Sequence, residues 1–176
     1  MRYMICSAIL AVFSLVAAAQ DGEAIKKQMI ADWQRAKLYT GEYLDAMPAS
    51  RYDFRPADSI RTFARQMLHL AQGNIGLASN GTGVDRIFPG QNLEARESAA
   101  SADSVKYFVM ASYDYVISGL EQMDAGKMFE STKMGNFDFT RYAWLSKAFE
   151  HQGHHRGQAT IYLRAAGIKP PNERLF

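Results

Sequence analysis

A single cysteine, Cys6, serves the whole 176-residue chain, and it lies within the first ten residues. Downstream of it no disulfide can form and no thiolate can act as nucleophile or metal ligand, and Cys-x-x-Cys-His haem attachment is excluded. Charge of one sign is also missing: 20 Lys and Arg stand against 18 Asp and Glu, a net of +2. That balance gives no electrostatic case for nucleic acid or for an anionic membrane surface as a partner. No apolar run reaches the roughly 20 residues that a transmembrane helix needs. There is no glycine-rich phosphate loop, no repeat, no low-complexity tract and no segment with sustained strand alternation.

What apolar run there is, Met4 to Val16, lies at the start, behind Arg2 and ahead of Ala17-Ala18-Ala19. A positive residue, an apolar stretch and small residues in this order predict a secretory signal peptide, residues 1–19, cut between Ala19 and Gln20. The expected location is therefore secreted or periplasmic, with no membrane attachment after cleavage. Residues 20–176 then form one domain of 157 residues, long enough to bury a core. Cys6 leaves with the leader. Arg2 leaves too, so 19 basic residues face 18 acidic ones.

Helical periodicity marks four segments. The first runs from about Glu23 to Met47, with Ile25, Met29, Trp33, Ala36, Thr40, Tyr43 and Met47 on one face. The second follows Pro56 with a cap at Asp58 or Ser59, carries Ile60, Phe63, Met67, Leu70, Asn74 and Leu77, and ends near Asn80-Gly81. The third starts near Ser101-Ala102-Asp103. The fourth runs from near Thr140 to Ala166, where Gly167 supplies a left-handed stop and Pro170-Pro171 prevents continuation. Lys127 to Phe139 reads as a short hairpin. Four long helices in a domain of this size predict an all-α four-helix bundle. The roughly twenty residues from Gly81 to Ala100 are long for a bundle connection, and favour a crossover over a simple up-and-down order.

Three of the four histidines crowd into His151-Gln152-Gly153-His154-His155. His151 and His155 are one helical turn apart and share a face. The same face carries Trp144, Ala148, Ala159, Tyr162 and Ala166, so both imidazoles are aimed into the bundle. An unpartnered polar ring there is costly, and one metal ion satisfies both. His154 projects about 100° away and is not counted as a ligand. The remaining histidine, His69, lies mid-helix at the edge of the second apolar stripe, where Gly73 and Gly76 leave room beside it. Three neutral imidazoles with an open fourth position are the pattern of a catalytic ion more than of a closed structural one.

The stretch from His151 through His155-Arg156-Gly157-Gln158 and Tyr162-Leu163-Arg164 to Gly167 and Pro170-Pro171 resembles the last helix of the DinB superfamily. Phe54-Arg55-Pro56, followed about a dozen residues later by His69, resembles that family's second-helix region. The resemblance implies an up-down-down-up bundle, a frequent homodimer, and a metal held by His69, His151 and His155. Its members have mixed activities, including thiol-dependent S-transferases and suspected hydrolases.

A metal-dependent enzyme with an unidentified small-molecule substrate follows as the expectation, using one divalent ion (Zn, Ni, Fe or Mn). Such an ion lowers the pKa of a bound water to about 7. Export disfavours thiol transfer, because thiol cofactors belong to the reducing cytoplasm, and hydrolysis or an unassigned reaction is favoured. The alternative is a non-enzymatic bundle that binds a metal or is stapled by it. No carboxylate general base can be named, since Glu150 points to another face. Gln158, one turn past His155, reads as a pocket residue or a surface amide. Asn74 faces the bundle and reads as a group supporting the metal ligands or as a buried, hydrogen-bonded amide, and Tyr162 reads as core first and pocket wall second. Arg156 and Arg164 read as solvated or capping residues.

Overall fold

The structure, a computed structural model, describes the backbone of residues 2–176 and the side chains of residues 21–176. The expected leader, residues 1–19, and its cleavage point lie outside the described side chains. Among the described residues the chain forms four long helices, α1 (Arg2–Ala46), α2 (Phe63–Thr82), α3 (Ala102–Gln122) and α4 (Arg141–Ala165), and one hairpin, β1 (Ser131–Met134) and β2 (Phe137–Thr140). Among residues 21–176 no helix is long and apolar enough to cross a membrane.

Side-chain hydroxyls set three of the helix starts. Thr62 accepts from the Arg65 amide, Ser101 from Ser104 and Thr140 from Ala143, each satisfying an N–H that the helix itself leaves open. The third and fourth starts are where the sequence predicts them. The second is not, because Asp58 and Ser59 precede the helix and Thr62 takes the cap. The winning arrangement also satisfies the next two amides: Phe63 donates to the Phe54 carbonyl at 2.9 Å and Ala64 to Tyr52 at 2.8 Å. Ile60, predicted on the apolar face, is left 40% exposed in the segment ahead of the helix. At the other end α2 passes Asn80-Gly81 and stops at Gly83, whose φ of 79° is the left-handed stop. The predicted hairpin forms, with Gly135 at φ 58° opening its two-residue turn.

Contacts between helices fix their directions. Lys106 reaches Asp45 at 2.7 Å, Thr40 meets Tyr113 at 2.7 Å and Lys26 reaches the Met123 carbonyl at 3.2 Å, so α1 and α3 are antiparallel. Trp33 packs on Phe149 and Tyr43 bonds Thr160, so α1 and α4 are parallel. Asn74 donates to Ser112 at 3.1 Å and Thr82 lies against Gly119, so α2 and α3 are parallel, as a long crossover permits. Leu145 fills the space beside Gly81 while Gln66 meets His155, so α2 and α4 are antiparallel. The bundle is up-down-down-up. Its core runs through all four helices, including Trp33, Phe63, Met67, Leu70, Val109 and Leu145, each at most 1% exposed.

The α2–α4 seam is the close one. A Cβ at Gly81 would lie 2.6 Å from Leu145 Cγ, so only glycine allows this approach. This is the seam that carries the histidines.

Candidate metal centre

His69 projects from the middle of α2, and His151 and His155 project from successive turns of α4. The antiparallel seam brings them together: one ring nitrogen from each lies within 4.8 Å of the other two. The ring centroids are 4.4 Å apart for His151 and His155, 4.5 Å for His69 and His155, and 5.3 Å for His69 and His151. Among the described residues this is the group of potential ligands that the fold assembles. His154 is exposed and accepts no place in it; Gln158 Nε2 lies 3.0 Å from its Nε2.

Each ring is held differently. His69 Nδ1–H donates to Glu94 Oε2 at 2.8 Å, which leaves Nε2 free to face the other rings. Glu94 is brought there by the α2–α3 crossover. Leu93, 1% exposed, anchors the crossover in the core, and its amide donates to Gln72 Oε1 at 2.9 Å, one turn along α2 from His69. Arg61 donates through Nε to Glu94 and lies 3.5 Å from His69 Nδ1. Burial alone would raise the Glu94 carboxyl, but the hydrogen bonds and charges of Arg61 and His69 outweigh it and hold it below its ordinary value.

His155 is held by amides. Gln158 Oε1 is 3.2 Å from its Nδ1, and the Gln66 amide nitrogen is 2.7 Å from the same atom. The two contacts give Nδ1 opposite roles, accepting from the Gln66 N–H or donating to Gln158 Oε1; the donating tautomer is the one that leaves Nε2 for the centre. His151 has no such partner: its Nδ1 is buried and unbonded. Its ring lies over Gly73, where a Cβ would stand 2.0 Å from Cε1 and 2.4 Å from Nδ1. Gly73 is therefore required for the ring to lie where it does. Gly76 borders open space, so the room predicted beside it plays no part.

Burial, with the charges of His69, His154 and Arg61, pushes the His151 imidazole down to about 4. Burial, with His151, His69 and His154, pushes His155 down to about 4 as well. Both rings are neutral at pH 7, and a neutral imidazole is the form that offers a lone pair to a metal.

This donor set fits a divalent ion. Three imidazole nitrogens converge, two of the rings have their outer nitrogens hydrogen-bonded, and the third has a buried Nδ1 with no partner in the chain. The three residues predicted from the sequence are the three that meet. Three further participants carried no sequence signal. Glu94 lies in an irregular connection, Arg61 in the segment before α2, and Gln66 off the apolar stripe. Gln158 is confirmed as a pocket residue. Arg156, predicted as solvated or capping, is instead half-buried, donating to Gln152 Oε1 at 2.8 Å and lying over the Tyr39 ring. Tyr162 is core, as predicted, and its hydroxyl donates to the Arg61 carbonyl at 2.8 Å.

The family model described as the DinB family matches residues 20–174. Three solved structures are similar in fold. A DinB-like protein from Bacillus cereus has 20% identity and a TM-score of 0.72, over 84% of this chain and 96% of that one. A DinB-like protein from Bacillus subtilis has 18% identity and a TM-score of 0.66, over 85% and 96%. A conserved protein from Enterococcus faecalis has 18% identity and a TM-score of 0.65, over 80% and 96%. No curated protein matches the chain.

Proposed function

The chain belongs to the DinB family, and from that premise we propose that it is an exported metal-dependent enzyme of the hydrolytic class. His69, His151 and His155 would hold one divalent ion. The observation that carries this reading is the buried, unbonded nitrogen of His151, set between two rings whose own outer nitrogens are fixed. Such an ion supplies Lewis-acid polarisation and makes a water or a substrate thiol nucleophilic near neutral pH. The chain's own residues do the rest. Glu94 fixes the tautomer and orientation of His69, and the Gln66 and Gln158 amides hold the ring of His155, with Gln158 Oε1 as the acceptor for an Nδ1 proton. Gly73 admits the His151 ring. The Arg2, Met4–Val16 and Ala17–Ala19 pattern supports export, and export favours hydrolysis over thiol transfer.

One observation favours a non-enzymatic metal-binding bundle as the second reading. Glu94, the carboxylate bonded to this cluster among the described residues, is committed to His69 and Arg61 and is not free as a general base.

The test is metal analysis of exported, untagged protein, followed by a panel of ester, amide and phosphate substrates. About one divalent ion per chain is expected, with a hydrolytic activity that chelation removes and metal restores. Chelation should lower the melting temperature by several degrees and leave the helical signal, because the ion adds about 2.7 kcal/mol at a hundredfold excess over its dissociation constant. Protein without metal at any concentration overturns the reading. Unfolding on chelation alone favours the stapled bundle. An intact Met1 on exported protein overturns the leader.

A further inference from the structure

Next to the three histidines a cleft of about 600 Å³ opens between the segment ahead of α2 and the C-terminal half of α4. Ile60, Arg61 and Gln66 line one side, and Gln158, Ile161 and Tyr162 the other. It adjoins the histidines directly, since Gln66 and Gln158 are the two amides on His155. Its wall is fixed across the seam by the Tyr162 hydroxyl on the Arg61 carbonyl.

The lining has an uneven chemistry. Ile60 and Ile161 are 40% and 56% exposed, so two large aliphatic side chains face the cleft without cover. No lining residue is acidic. The Gln66 amide nitrogen is engaged with His155 and Gln158, and the Gln158 amide nitrogen with His154. Beside the Ser59 hydroxyl and the second Gln158 N–H, the charged group with donors to offer is the Arg61 guanidinium. It gives Nε to Glu94 and has one Nη2 contact, at 3.5 Å, with His69. Five N–H donors in a planar fork leave others for a ligand. Arg61 is thus a cation in the wall of a cleft with an aliphatic side, 40% exposed and paired on one edge with Glu94, beside the first histidine.

We infer that this cleft binds the substrate of the proposed metal centre, and that the substrate is a small amphipathic anion. Its carboxylate or phosphate head lies on Arg61 beside His69, and its aliphatic body lies outward across Ile60 and Ile161. The inference rests on the proposed metal centre for its catalytic meaning, but the binding can be measured separately. Arginine takes both kinds of head by the same charge-assisted bonds, so the shared chemistry is an anionic head on a short apolar chain.

The experiment is calorimetric titration of the mature protein, metal-loaded and metal-free, with metal content measured in every sample. The probes are hexanoate, hexyl phosphate, acetate, hexanol and hexylamine. Hexanoate, hexyl phosphate or both should bind at least tenfold more tightly than acetate, hexanol and hexylamine; which of them binds identifies the head. Arg61→Gln should weaken that binding tenfold or more. Ile161→Ser, at an exposed position away from the ligand nitrogens, should weaken it severalfold with metal content unchanged. Protein that holds no metal but binds hexanoate through Arg61 and Ile161 would sink the metal reading and keep the cleft. Hexanol or hexylamine binding as tightly as the anions overturns the inference. So does acetate matching hexanoate with Arg61→Gln and Ile161→Ser both without effect, and so does failure of both anions to bind.

Discussion

Two polar clusters interrupt the apolar interior, and consecutive residues of α4 feed them. Gln152 enters the first. The Tyr113 hydroxyl donates to its Oε1 at 2.9 Å and is 2.7 Å from Thr40 Oγ1, and Arg156 donates to the same amide oxygen. His151, about 100° round the helix, enters the second, with His69 and His155. Burial keeps the titratable rings of both clusters neutral, by opposite shifts. It pushes the Tyr113 phenol up to about 12 and the His151 and His155 imidazoles down to about 4. The first cluster joins α1, α3 and α4 through bonds made within the chain, although Gln152 Nε2 is left without a partner. The second joins α2 and α4 and ends on three ring nitrogens within 4.8 Å of one another. Hydroxyls and amides can both donate and accept, so they close on themselves. An imidazole whose outer nitrogen donates its proton has only an acceptor left, as for His69 on Glu94, and the His151 Nδ1 finds no partner within the chain. The proposed divalent ion would satisfy this cluster from outside.

The comparison makes predictions that separate the clusters. The largest effect is expected for His155→Ala, which removes a ligand. Metal affinity should fall at least a hundredfold, beyond the 10- to 100-fold of changes behind the ligands, with the helical signal kept. Equilibrium dialysis showing unchanged affinity would remove His155 from the centre. Gly73→Ala should come next. Its Cβ would overlap the His151 ring, so affinity should drop about tenfold or more although alanine is the better helix former by about 1 kcal/mol. Normal metal binding by this variant would show that the ring has another position.

Tyr113→Phe should do the reverse. It leaves Thr40 Oγ1 without its partner and Gln152 Oε1 with Arg156 alone, costing about 1–3 kcal/mol of stability, while metal affinity stays within twofold. Loss of metal here would mean that the two clusters act as one.

The pH response should separate them too. His151 and His155 are lowered from 6.5 to about 4 in the folded, metal-free protein. Between those values the unfolded chain binds more protons, so their contribution to stability is full above pH 6.5 and is lost as pH falls toward 4. The urea midpoint of metal-free protein should therefore drop between pH 7 and 4, and less so in the His151→Ala/His155→Ala double variant. Equal slopes would show that the imidazoles are not the cause. Tyr113 contributes nothing in that window. The smallest effect is expected for His154→Ala, whose metal content and melting temperature should match the parent, because its ring is exposed and outside the cluster. A hundredfold loss of affinity would show that His154 is a ligand.

Much of this architecture is legible along the chain because it depends on local order. The 3.6-residue period places His151 and His155 on one face, Ser101 and Thr140 cap their helices with a hydroxyl two or three residues ahead of an open amide, and Gly167 stops α4. A period is an angle, and it can be read without knowing what the face meets.

Other features depend on what meets the face. Thr62 replaces Asp58 or Ser59 as the cap because Tyr52 and Phe54 offer carbonyls to the following amides, which is a tertiary fact. Arg156 turns inward because Gln152 and Tyr39 receive it. Glu94 is the strongest case. It lies 25 residues from His69 in a connection with no period, and only the anchoring of Leu93 and the Gln72 hydrogen bond carry it to the imidazole. The sequence alone determined the four helices and the three histidines, because periodicity and residue type are local. The tertiary structure decided which groups orient those histidines and what chemistry borders them, because hydrogen bonds and clefts form between segments whose separation along the chain says nothing of their distance in space.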